Sequence, residues 1–78
     1  MNDPSTFRIR SYSKTELALL YFPKDSPHTA LRHLMRMINR CRFLTEALAQ
    51  TGYTKSDRIF SPKQVRLIVE HLDPPGPP

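Results

Sequence analysis

Tryptophan is absent from this chain, cysteine occurs once and glycine only twice. Each shortage removes an option. A lone Cys41 cannot cross-link a fold, and three scattered histidines give it no zinc-ligand spacing. Neither a disulfide framework nor a metal is therefore expected to hold the domain. Gly52 and Gly76 are too few and too far apart for a glycine-rich phosphate loop. No apolar run approaches the roughly 18 residues of a membrane span. The start, MNDPSTFRIR, lacks the apolar stretch of a secretion leader, so the expected compartment is reducing and cytoplasmic. The acids are scattered singly, and no serine or cysteine has a histidine at a telling spacing. The expectation is not an enzyme, with no catalytic residues, no cofactor and no small-molecule substrate.

What is present is 78 residues, 38% hydrophobic and 24% charged, which describes one small globular domain. A chain of this size buries only about 60% of its unfolded surface, so its core must be economical. Twelve Lys and Arg against seven Asp and Glu give a net charge of +5, which points to an acidic partner.

Residues 1–6 and the DPPGPP segment at 73–78 read as disordered tails, leaving a single domain over 7–72. Phe7 to Tyr12 alternates apolar and polar residues, the pattern of a half-buried strand with Phe7 and Ile9 inward. Ser13 and Glu16 have capping-box spacing, which predicts a buried helix over 14–21. Ser26 followed by Pro27 starts a second helix running to about Arg40. Its apolar side holds Ala30, Leu31, Leu34, Met35, Met37, Ile38 and Cys41, all expected in the core. A third helix over 43–51 turns Phe43, Leu44, Ala47 and Leu48 inward and ends at Gly52. Residues 53–60 read as a loop or wing closing on a short strand that pairs with the first. Ser61 and Gln64 form a second capping box and start a last helix over 62–72, with Val65, Ile68, Val69 and Leu72 inward. The fold class is mainly α, a small helix-turn-helix-like domain, with or without a wing, of about four helices and a minor two-stranded β element.

From Ser26 to Thr45 the chain carries no acid, yet it holds Arg32, Arg36, Arg40 and Arg42. The first three are spaced i, i+4, i+8 and stack along one helix face, with His28 opening the row. Like charges at this spacing disfavour the helix by a few tenths of a kcal/mol per pair, a strain that a polyanion relieves. Arg presents forked donors to phosphate and to guanine. The plainer reading is a solvated, solubilising face. If the second helix is a recognition helix, its start would meet the bases through His28, Thr29, Arg32 and His33. Arg36, Asn39, Arg40, Lys55 and Arg58 would complete the nucleic-acid-binding set. The connector YFPKDSP is longer than the usual turn of the motif.

The segments KTELALLYFP, TGY and SPKQVRLIVE resemble a family of small proteins from Bacteroides and relatives, catalogued as domain of unknown function 4248. The likeness runs from about Phe7 to Leu72. It implies a bacterial, cytoplasmic protein and supplies no activity, cofactor or functional residues. Members commonly carry an aromatic where Met37 stands and a Gly where Asp73 follows the last helix. Losing that Gly removes the easiest left-handed cap.

Two functions stay open at this point. The leading expectation is a small DNA-binding protein, an accessory transcriptional or mobile-element regulator that docks helix 27–40 on double-stranded DNA with a homodimer or protein partner. The alternative is a protein-interaction adaptor on the same fold, which predicts an exposed apolar patch, with Leu19, Phe22 and Leu67 as one candidate location.

Overall fold

The computed structural model describes residues 7–75. Of the two expected tails, 1–6 and 73–78, all of the first and residues 76–78 of the second lie outside the described residues. The element order is β1 (Tyr12–Ser13), α1 (Lys14–Tyr21), α2 (Pro27–Arg40), α3 (Arg42–Gln50), β2 (Ile59–Phe60) and α4 (Pro62–Leu72). The domain is mainly helical with a minor antiparallel two-stranded sheet. Among the described residues no helix is long and apolar enough to cross a membrane.

Local capping places three of the helix starts. Ser13 Oγ accepts from Glu16 N at 3.0 Å while Glu16 Oε1 accepts from Ser13 N at 3.3 Å. Ser26 Oγ accepts from Thr29 N at 3.3 Å, with Pro27 in the first turn. Ser61 and Gln64 repeat the reciprocal box, at 3.2 and 2.9 Å. These bonds satisfy amide donors that a helix start otherwise leaves unpaired. Among the described residues no side chain caps the start of α3, and Cys41 serves both as the C-terminal cap of α2 and as the N-terminal cap of α3. Gly52 has a φ of 87°, the left-handed conformation expected of the glycine that ends α3.

The core takes one stripe from each helix: Leu17 and Ala18, Ala30, Leu34 and Ile38, Leu44 and Leu48, Val65 and Ile68. Tyr12 and Phe60 close it from the sheet. Leu31, Met35, Cys41, Leu67, Val69 and Leu72 pack around it half-buried.

Three expectations are corrected. The strand expected over 7–12 forms only at Tyr12–Ser13, where Tyr12 pairs with Phe60 and Ser13 with Ile59. Ser13 already caps α1, so the helix takes over at once, and the ladder gains only Lys14 N donating to Arg58 O at 2.9 Å. Upstream, side chains replace the ladder. The Arg10 guanidinium lies 3.8 Å from the Tyr12 ring centroid, and Tyr12 Oη donates to Arg8 O at 3.0 Å. Ile9 is consequently exposed, although Phe7 does stack on Tyr12. Second, Phe43 is 76% exposed rather than inward. Leu44 and Leu48 define the buried stripe of α3, and Phe43 lies a full helical step of about 100° off it. Third, the C-terminal tail does not begin at Asp73. Tyr21 Oη donates to Asp73 O at 2.6 Å, and Pro75 is buried. Burial, and secondarily the Asp73 carboxylate, hold the Tyr21 hydroxyl well above its ordinary ionisation range, so it remains a donor.

Asp73 itself adopts φ 68° and ψ 154°, a backbone region that is nearly glycine's alone. Asp73→Gly is expected to remove this strain and stabilise the domain by about 1 kcal/mol after the entropy glycine adds to the unfolded chain. In a thermal melt followed by circular dichroism the midpoint should rise by about 4–8 °C. A midpoint that stays or falls would mean the Asp73 backbone is not strained.

Candidate nucleic-acid interface

Arg32, Arg36 and Arg40 are all exposed, on the side of α2 opposite Ala30, Leu34 and Ile38. Among the described residues the ion pairs are Arg10 with Glu16, His33 with Asp25, and Arg42 with Glu46, so none neutralises the row. His28 is exposed in the first turn of the same helix. The row is not packed beneath α4, an arrangement that would have removed it from any partner.

The remaining residues divide between the two flanks of α2. On one flank, Thr29 and His33 are engaged within the domain. The Thr29 hydroxyl accepts from Ser26 Oγ at 2.9 Å. His33 Nδ1 lies 2.8 Å from Asp25 Oδ2, and its ring meets Phe22 edge-on at 5.3 Å. His33 thus fastens the connector to α2. On the other flank, Asn39 shares a cleft with Lys55, and Lys55 and Arg58 line an adjoining depression that reaches Leu31 of α2. The structure therefore brings Lys55 and Arg58 to the edge of the helix that carries the arginines.

The segment that carries them is a loop joining α3 to β2, and β2 pairs back to β1. It is held by its own turn: Thr54 N donates to Asp57 Oδ2 at 3.1 Å and Asp57 N to Thr54 O at 3.1 Å. Lys14 clamps it from α1, its backbone N on Arg58 O and its Nζ on Lys55 O at 3.1 Å. The apolar residues Leu19, Phe22 and Leu67 pack half-buried against the core rather than forming an exposed patch.

The family described as domain of unknown function DUF4248 matches residues 8–75. The chain belongs to this family. No curated protein and no solved structure matches it. The DUF4248 span takes in every helix, both strands and the Asp73–Pro75 segment.

Sequence reasoning about this DUF4248 domain misses Lys14. Only 8% exposed, it lies over the rings of Tyr53 and Phe60, with Nζ 4.7 and 5.8 Å from their centroids. Its hydrogen-bond partner is 41 residues away, so no local pattern announces it. A lysine opening a helix that continues into the largely apolar run 17–21 is the one available signal.

Proposed function

We propose that this domain binds double-stranded DNA as a small accessory regulator, laying α2 against the sugar-phosphate backbone. The observation that carries this reading is the exposed row Arg32, Arg36 and Arg40, which lacks carboxylate partners among the described residues. Three like charges along one helix raise the local positive potential, and phosphates relieve that repulsion while gaining forked hydrogen bonds from arginine. Lys55 and Arg58 extend the positive surface past Leu31. Base contacts fall to His28 and Arg32, the exposed side chains of the first turns. Thr29 and His33 instead fix the helix start and its connector. A single helix covers a half-site only, so a second copy or a partner protein is expected to complete the site.

The test is fluorescence anisotropy of a labelled random duplex of about 20 base pairs, titrated across a salt series. Wild-type protein is expected to bind in the micromolar range, with a log–log salt slope of about −3 or steeper. The Arg32→Ala/Arg36→Ala/Arg40→Ala variant is expected to bind more weakly and to flatten that slope. All three positions are exposed, so the variant should remain folded. Folded, monodisperse wild-type protein that binds no duplex at low salt would refute the proposal and return the adaptor reading to first place.

A further inference from the structure

Beside α2 lies an open cleft of about 500 Å³, walled by α2, α3 and the loop after Gly52. That is the size and composition of a small-molecule site: mostly apolar, with a few polar groups. Leu31 and Met35 line it from α2, and Leu48 and Ala49 from α3. Lys14 and Tyr53 stand at its other side, and no acid is among the described residues that line it.

Lys14 is the anomaly. Lysine is rarely this buried unless paired with an acid, because removing an ammonium from water is costly. Here no carboxylate pairs with it among the described residues. Of three N–H donors it uses one, on Lys55 O. Asp57, which shares the adjoining depression with Lys14, is bonded to Thr54 instead. Tyr53 of the same wall keeps its hydroxyl buried, without a hydrogen-bond partner among the described residues. Folding alone leaves the Lys14 ammonium over two aromatic rings with one hydrogen bond and, among the described residues, no counter-ion, beside an apolar cleft. An acceptor-bearing anion with an apolar body satisfies both the ammonium and the apolar wall.

We propose that this cleft binds a small amphipathic carboxylate, with its head on Lys14 Nζ and its hydrocarbon part against Leu31, Met35 and Leu48. A carboxylate matches the buried Lys14 ammonium, which has two donors to spare, while the exposed Lys55 stands at the same cleft. Inorganic phosphate has no apolar body to cover Leu31, Met35 and Leu48, so it would leave most of this wall in water. The site does not rest on the DNA-binding reading and stands or falls separately.

The experiment is a two-dimensional amide NMR titration of the full chain with sodium octanoate, run beside 1-octanol and inorganic phosphate. Octanoate is expected to give saturable shifts at Leu31, Met35, Thr45, Leu48 and Tyr53, with a Kd of about 1 mM or tighter. Octanol should bind there at least about tenfold more weakly, and phosphate should leave these signals unmoved. Lys14→Met keeps the stem and removes the charge. It is expected to cut octanoate affinity about tenfold and to leave octanol unchanged. If Lys14→Met does not fold, Ala49→Phe, at an exposed position on the rim, fills the cleft without touching Lys14 and should abolish the octanoate shifts. Absence of saturable shifts in the cleft would overturn the assignment. So would equal affinity for octanoate and octanol, or binding that survives Ala49→Phe.

Discussion

A Phe60→Ala variant should lose about 3–5 kcal/mol of stability and populate the unfolded state at room temperature. Phe60 is the largest side chain with no exposure, and it belongs to a strand only two residues long. Backbone pairing therefore cannot hold β2 in place, and the ring must do so. It stacks on Tyr53 at 5.5 Å, lies beneath Lys14 Nζ, and its residue pairs with Tyr12 across the sheet. Removing it leaves a cavity that three separate elements line. A chain of this length has about 4–12 kcal/mol in total at the usual share per residue, so the loss is a large part of the whole. Urea unfolding followed by circular dichroism measures it. The midpoint should drop steeply, while Phe60→Leu, which preserves most of the volume, should cost no more than about 1.5 kcal/mol. A loss under about 1 kcal/mol for the alanine variant would show that Phe60 does not anchor the sheet.

Gln64→Ala is the second large effect, at about 2–3 kcal/mol. Gln64 is 7% exposed, and its side chain serves two helices at once. Its Oε1 accepts from Ser61 N at 2.9 Å, closing the cap of α4. Its Nε2 donates to Thr51 Oγ1 at 2.8 Å, and the Thr51 hydroxyl passes the chain on to Leu48 O at 2.6 Å. The end of α3 is thereby tied to the start of α4 through one amide. Alanine leaves the Ser61 amide and the Thr51 oxygen without these partners in a partly desolvated place. Gln64→Glu keeps the acceptor, and its charge favours a helix N-terminus, but it cannot donate to Thr51. It should therefore lose less than alanine. A double-mutant cycle with Thr51→Ala should show a coupling of at least about 0.5 kcal/mol. Additive losses would mean that the two helices are not joined by this bond.

The legible parts of the fold are those decided within a few residues. Ser13, Ser26 and Ser61 start helices because a hydroxyl and the amide three residues on are enough to do so, and Gly52 ends one because its backbone must turn left-handed. The exposed arginine row is legible for the same reason, since a regular helix fixes where i, i+4 and i+8 point. Phe43 misleads because a helix as short as α3 offers two adjacent stripes of similar hydrophobicity, and only the neighbouring helices choose between them. Ile9 misleads because alternation cannot tell a ladder from a segment folded back on Tyr12. Here the Tyr12 ring carries the Arg10 guanidinium and its hydroxyl donates to the Arg8 carbonyl. His33 and Lys14 depend on partners in other elements, Asp25 in the connector and the Lys55 carbonyl in the loop. Those partners exist only once the chain has closed.

The joint at Cys41 has a mechanical meaning. With one residue capping both α2 and α3, the soft coordinates between the two rods are the two backbone torsions of that residue. No linker separates α2 from α3, so any change in their angle has to pass through these torsions and through the packing around Cys41. The two rods meet at an elbow, and the elbow is a half-buried thiol packed against the core.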